Sequence, residues 1–259
     1  MERKQRGSAW ALAWKNTPQI VGALGVLALV WAVAYFAVGN ALLVPSFKDC
    51  VVAFGDLMTE SGFWTAFSWS CFRVVIAFSV SLVLGAIFAV ISYLVPAFYR
   101  FFSVIVAFLR TVPTLAVLLI VIVWAGAGMA PVIVALLSLF PMLYTAVYTA
   151  LSGVDEDLVE MSKVYNVPLK KRIVQLYLPA ALPYATREAG AALSFAVKLV
   201  VSAEVLAATY NSLGGMMQEA KIYLDMPLLF ALVGVTFLVG AVIELTSSII
   251  ADGVERRVK

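Results

Sequence analysis

The sequence predicts an all-α membrane protein with six transmembrane helices and both termini in the cytoplasm. Composition is the first observation: 63% of the 259 residues are hydrophobic, only 13% are charged, and the mean hydropathy is +1.01. A soluble domain is about 45–50% apolar and about 25% charged, so this chain carries more apolar surface than a water-exposed fold can hide. The second is a set of uncharged runs long enough to cross a bilayer. The third is the asymmetric placement of lysine and arginine. Together they exclude a disordered chain, a nucleic-acid-binding domain and a secreted disulfide scaffold. With no histidine, and Cys50 and Cys71 as the only thiols, no metal site and no redox or metalloenzyme role is expected. Those two cysteines pair only if both lie outside the cytoplasm, and they are assigned no function.

The spans follow in order. Arg3, Lys4, Arg6 and Lys15 mark 1–19 as a cytoplasmic segment. The uncharged run after it is densest over 20–38, about 28 Å of helix at ~1.5 Å per residue. A basic start before an apolar stretch also describes a signal peptide, but this run exceeds the roughly 7–15 residues of a signal core, so an uncleaved first helix is expected. Ser46 and Asp49 have capping-box spacing, and Val51, Phe54, Leu57 and Met58 repeat helically, predicting a short amphipathic surface helix. Residues 74–95 give a second span, ended by Pro96. The uncharged stretch 111–154 is too long for one span; Gly126, Gly128 and Pro131 supply a turn between 101–124 and 131–151. A fifth span over 189–208 contains Lys198 and Glu204, and a sixth over 228–250 contains Glu244. The polar loop 152–185 holds Lys163, Lys170, Lys171 and Arg172, and the tail 251–259 holds Arg256, Arg257 and Lys259. Only Lys48, Arg73 and Lys221 fall in the opposite connections, which places both termini and the 152–185 loop in the cytoplasm.

That loop reads as a helical hairpin. Asp155, Glu156 and Asp157 suit a helix N-terminus, with Leu158, Met161, Val164 and Tyr165 on one side. Asn166-Val167-Pro168 breaks it, and a second helix carries Leu169, Ile173, Leu176 and Tyr177 on one face. Leu178-Pro179 through Pro183 is expected to end that helix and redirect the chain into the fifth span. Such a hairpin suits a lever pushed by a soluble partner; a solvated connecting loop has the same residue types.

Glu160-Met161-Ser162, then Asn166, then Leu176 with Leu178-Pro179 resembles the EAA loop of bacterial ABC importer permeases. Leu42-Leu43-Val44-Pro45-Ser46, Arg110-Thr111-Val112-Pro113, Ala203-Glu204-Val205-Leu206 and Ser212-Leu213-Gly214 are similar to the nitrate, sulfonate and taurine type, so the resemblance covers nearly the whole chain. It departs from the pattern where Met161 and Ser162 replace two alanines and Asn166 a glycine. Asparagine is the non-glycine residue that best tolerates the left-handed conformation a helix-ending turn uses. The larger Met161 and Ser162 imply a seat particular to this chain's own ATPase.

The resemblance implies a type I ABC importer permease fold: a multi-pass subunit of the bacterial inner membrane, paired with a second copy of itself, cytoplasmic ABC ATPase subunits and an extracytoplasmic solute-binding protein. Lipid surrounds it and no nucleic acid is involved. ATP and Mg would be bound by the partner ATPase, and this chain would have no cofactor and no catalytic residue. Its lack of any Gly-Lys pair, and hence of a Walker A loop, agrees. By resemblance, Asp157, Glu160, Met161, Ser162, Asn166, Leu178 and Pro179 form the ATPase-coupling loop.

Ionisable groups at bilayer depth cost a few kcal/mol each and are functional candidates. Arg110 lies about 13 Å into the third span, where it can bond backbone near Pro113 or a neighbouring helix. Lys198 either faces a path for an anionic solute or forms a salt bridge with Glu244 or with Glu204 of a second copy. Lys198 and Glu204 are about 120° apart around one helix and do not pair along it. Arg110, Pro113, Lys198 and Glu204 are therefore the candidates for path or gate. Arg187 and Glu188, with Trp10, Trp14, Trp64 and Trp69, suit the membrane interface. An ion-gradient-driven secondary transporter is the alternative, with Lys198, Glu204 and Glu244 as coupling residues; the sequence shows no evident inverted repeat or broken helix pair to favour it. A membrane assembly protein without a transport role is a third reading.

Overall fold

A computed structural model describes residues 22, 25, 26, 28–40 and 43–258. The predicted segment 1–19, with Trp10, Trp14 and its bases, lies outside the described residues, as do the start of the first predicted span, Leu42 and Lys259. Every described element is helical: α1 (Ala28–Val38), α2 (Phe47–Thr59), α3 (Ser61–Leu94), α4 (Pro96–Thr111), α5 (Thr114–Ser152), α6 (Glu156–Val164), α7 (Leu169–Arg172), a π-turn (Ile173–Tyr177), α8 (Leu178–Ala207), α9 (Leu213–Ile222) and α10 (Met226–Val258). In hydrocarbon only a helix satisfies its own backbone groups within one segment, and uncharged Leu, Val, Ile, Ala and Phe runs give nothing else to choose. Four helices, over Ser61–Leu94, Thr114–Ser152, Lys170–Ala207 and Met226–Arg256, are long and apolar enough to cross a membrane.

Several elements start or stop elsewhere than the uncharged runs do. Helix α2 begins where Ser46 accepts the Asp49 N–H at 3.2 Å, and it buries Leu57 while Phe47 and Val51 stay outside. Helix α3 starts at Ser61, well before the uncharged run 74–95. Arg73 therefore lies inside a helix and not in a connection. The segment 101–124 is not one helix. Pro113 has no N–H and disfavours helical backbone at Val112, so α4 stops at Thr111 and α5 restarts at Thr114. The reversal expected from Gly126 to Pro131 occurs at Gly126 alone, whose φ of 76° and ψ of 163° suit a residue without Cβ. Leu118 and Val121 before it share one core cluster with Ala130 and Val134 after it, and the ring pairs Phe102 with Tyr144 and Tyr99 with Tyr148 lie across it, so α4 and 114–125 run antiparallel to 127–152.

The core is built on close approach of small residues. One stripe of α3 carries Ala77, Ser81, Gly85, Ala89 and Ser92, all buried, and α5 lies along it. A Cβ on Gly85 would sit 2.9 Å from the Tyr144 backbone nitrogen. Helices in lipid lack a solvent-driven push toward each other, so such contact area and interhelical hydrogen bonds hold them, here Tyr144 Oη donating to Ser92 Oγ at 2.8 Å. Helix α8 packs between α5 and α10 through Ala192, Ser194 and Ala196, with Ser194 Oγ donating to the Gly240 carbonyl at 3.3 Å.

Candidate functional site

The loop 152–185 folds as two helical arms. Asp155 caps α6 by accepting the Asp157 N–H at 2.9 Å, so Asp157 serves through its backbone as well as its charge at the positive end. Asn166 takes φ 52° and ends α6: its N–H donates to the Lys163 carbonyl at 2.9 Å and the Val167 N–H to Ser162 at 3.0 Å. That 6→1 and 5→2 pair is a Schellman ending, for which glycine or asparagine is needed at the left-handed residue. Ser162 is buried and donates to the Val159 carbonyl, while Glu160 and Met161 face outward.

The second arm does not stop at Leu178-Pro179. Helical geometry continues from Leu169 through the π-turn into α8, and Leu178 donates its N–H to Ile173, five residues back. The extra residue of the π-turn is the physical reason: Pro179 has no N–H for Gln175, and its ring would strike that carbonyl in a regular helix. Leu178 is half exposed and Pro179 partly buried at the first turn of α8. The hydroxyls of Tyr177 and Tyr93 approach to 3.4 Å, joining the π-turn to the end of α3. On the first arm an apolar ledge stands open, Val164 77% exposed and Tyr165 76%, and on the second Ile173 and Val174 are about half exposed.

At the far end of the bundle Glu204 is fully buried. Its carboxylate accepts Arg73 Nη1 at 3.0 Å, Ser70 Oγ at 2.7 Å and the Gly214 N–H at 3.3 Å. Ser70 in turn accepts the Leu213 N–H at 2.9 Å, so α3 and α8 side chains satisfy the first donors of α9. Arg73 Nε also donates to the Gly128 carbonyl at 3.3 Å and Thr209 Oγ1 to that of Ala127 at 2.8 Å, which binds the Gly126 turn into the same cluster. Gly214 permits it, since a Cβ there would lie 2.5 Å from the Val205 backbone nitrogen.

Lys198 lies on α8 beside Gly240 with its side chain exposed, and among the described residues it has no carboxylate within salt-bridge distance. Neither expected partner is used within this chain: Glu204 is taken by Arg73, and Glu244 is exposed without a bridge. Arg110 bonds the neighbouring helix, donating to the Pro141 carbonyl at 3.3 Å and to Thr145 Oγ1. Pro113 caps the second helical piece of the break, its carbonyl accepting Ala116 and Val117. Arg187 bridges to Asp252 at 3.6 Å and to Glu255 at 3.8 Å. Cys50 and Cys71 are not bonded.

The structure thus brings Arg110 and Pro113 to the α4–α5 break, gives Lys198 no salt bridge among the described residues, and gathers Glu204 with residues that sequence reasoning did not single out. Arg73 and Ser70 were recoverable: they lie three residues apart, hence on one face, once α3 is started at Ser61.

Comparison with known proteins gives one picture. The family model for the inner membrane component of binding-protein-dependent transport systems matches residues 81–259. The aliphatic sulfonates transport permease protein SsuC of Bacillus subtilis is 25% identical over 234 residues, 90% of this chain and 79% of that protein. Its Escherichia coli counterpart is 28% identical, covering 88% and 86%. The taurine transport system permease protein TauC of Escherichia coli is 23% identical over 242 residues, covering 90% and 88%. Among solved structures, an inward-facing MetNI methionine ABC transporter matches with TM-score 0.63 at 18% identity, over 72% of this chain and 93% of that one. A bacterial alginate ABC transporter, solved with its alginate pentasaccharide-bound periplasmic protein, matches with TM-score 0.61 at 12% identity, over 97% and 98%.

Proposed function

We propose, from the premise that this chain belongs to the family of binding-protein-dependent transport system inner membrane components, that it is the permease subunit of an ATP-driven importer for a small solute. As a multi-pass protein of the bacterial inner membrane, it would form the translocation path with a second copy of itself. An extracytoplasmic binding protein would deliver the solute, and separate ATPase subunits, holding ATP and Mg, would drive the cycle. This chain would hydrolyse nothing itself.

The observation that carries the reading is the exposed apolar surface of the two arms, the Val164–Tyr165 ledge on the first and Ile173 and Val174 on the second, in a loop that also holds Lys163, Lys170, Lys171 and Arg172. Exposed apolar side chains among charged ones mark a protein contact, and Ile173 and Val174 lie in the π-turn that runs on into the long helix α8. A push on the π-turn would reach the membrane through one continuous helix. Asp157, Glu160, Met161, Ser162, Asn166, Leu178 and Pro179 shape that lever.

Six spans follow if α1 and α3, the two arms of the Gly126 hairpin, α8 and α10 each cross once, with both termini cytoplasmic by the charge bias of the loops. The break at Val112–Pro113 leaves backbone groups unpaired at bilayer depth, which is tolerated where protein or a water-filled cavity meets them. Arg110 and Pro113 at the break, and Lys198 without a partner on α8, are the residues proposed to line the path, with Lys198 favouring an anionic solute. Glu204 is proposed as a gate or packing element without solute contact. The ion-gradient alternative would share the broken helix, but its proposed coupling acid Glu204 is already paired inside the chain.

Glu160→Lys tests the docking role. The variant is expected to insert and assemble in the membrane while its ATPase turns over without importing the solute carried by the binding protein. Normal uptake would overturn the assignment.

A further inference from the structure

The cluster around Glu204 fixes together four segments that are distant in sequence: α3 at Ser70 and Arg73, the Gly126 turn at Ala127 and Gly128, the end of α8, and the start of α9. The end of α8 is itself locked, with Ala208 at φ 46° and the Thr209 N–H donating to the Glu204 carbonyl at 3.0 Å. Glu204 thus serves the joint twice, through its main chain and its carboxylate. Arg73 is 89% buried as a side chain, contacts the Trp69 ring at 5.9 Å and spends its two bonding directions on Glu204 and on Gly128. The contrast is the α4–α5 break, where Val112 and Pro113 leave a joint without helical hydrogen bonds, steadied by Arg110 on Pro141 and Thr145.

We propose that Arg73 is a positioning residue: paired with Glu204, it welds the Gly126 turn and the α8–α9 joint to α3 as one rigid cap that keeps its shape through the transport cycle, the internal give occurring at the Val112–Pro113 break. The proposal rests on the ATP-driven reading above. Removing Arg73 strands a buried carboxylate and frees the Gly128 carbonyl, so the cap loses the Arg73 bonds that tie both the hairpin turn and α8 to α3. A merely stabilising ion pair would give no reason for nucleotide to distinguish the two joints.

Paired cysteines in a Cys50→Ser, Cys71→Ala background test it in the assembled complex with its ATPase. Ala127→Cys with Thr209→Cys spans the cap, and Arg110→Cys with Thr145→Cys spans the break. The cap pair is expected to crosslink at the same rate without nucleotide and with ATP and vanadate, and its disulfide to leave ATPase turnover within about twofold. The break pair should change rate with nucleotide, and its disulfide should slow turnover about tenfold. Arg73→Ala should slow crosslinking of the cap pair, and Arg73→Lys should restore part of it. A nucleotide-dependent cap pair, a cap disulfide that halts turnover, or an Arg73→Ala variant that crosslinks at the native rate would each overturn the proposal. If Arg73→Ala does not accumulate, the two disulfides in the Arg73 background still decide. If no ATPase assembles, the transport reading fails instead, and the Arg73→Ala crosslinking rate in the chain alone tests the weld.

Discussion

Glu204→Ala is the perturbation with the largest calculable consequence. The native carboxylate is 0% exposed and takes hydrogen bonds from Arg73, Ser70 and Gly214. Truncation leaves the Arg73 guanidinium, 11% exposed, without its counter-charge, and breaking one side of a buried pair costs about 3–5 kcal/mol. The Gly214 N–H is also orphaned, at about 1–3 kcal/mol if water does not enter. Total stability in folded proteins is about 5–15 kcal/mol, so the loss is a large share of the whole. Thermal unfolding of the detergent-purified chain, followed by size-exclusion fluorescence, should show a midpoint lower by about 6–20 °C from the ion pair alone, taking about 2–4 °C per kcal/mol for a chain of this size, and by more where the Gly214 N–H stays dry. Glu204→Gln keeps the shape and can keep the Ser70 and Gly214 contacts, so it should lose less than Glu204→Ala, while Arg73 still lacks its counter-charge. An Ala variant that melts with the native protein would refute the idea that this ion pair holds the end of the bundle.

Three further outcomes follow from the same geometry. Gly85→Ala gains up to about 1 kcal/mol of helix propensity but forces the Tyr144 backbone to move, at about 1–3 kcal/mol, so it should destabilise, whereas Gly234→Ala, which meets open space, should not; equal melting temperatures would count against the close α3–α5 approach. Lys198→Ala should cut uptake while leaving the amount of assembled complex unchanged, since among the described residues Lys198 has no salt bridge to lose, and loss of assembly would point to a bridge with the second copy. Burial, then the neighbouring Asp49 charge, pushes the Cys50 thiol up from its ordinary value. Less thiolate is present at neutral pH, so maleimide labelling of Cys50 should be slower than that of an exposed thiol and keep accelerating beyond pH 9; labelling that levels off below pH 8 would contradict this.

What the sequence made legible is what local chemistry decides. Ser46 with Asp49 announced the start of α2, Asn166 the left-handed end of α6, and Gly126 the reversal between two apolar arms, because in each case one residue type carries the geometry. Pro113 and Pro179 were visible as helix breakers, yet they act oppositely. Nothing compensates the first, and the chain breaks; a π-turn absorbs the second, and the helix runs on. The π-turn is also tied to α3, where Tyr93 packs against Tyr177. Arg73 reads from the sequence as part of a connection because the uncharged run begins only after it, whereas the helix starts at Ser61. A charge with a buried partner can lie well inside a helix, and its partner lay 131 residues further along the chain. Lys198 stayed ambiguous for the complementary reason: among the described residues no carboxylate lies within salt-bridge distance of it.

The most direct test of the central claim is co-purification from the native host in mild detergent, with the tagged chain and its associates identified by mass spectrometry. The account predicts an ATPase subunit in equal amount, lost when Glu160 and the Val164–Tyr165 ledge are altered. The chain arriving alone, under conditions that preserve other membrane complexes, would contradict it.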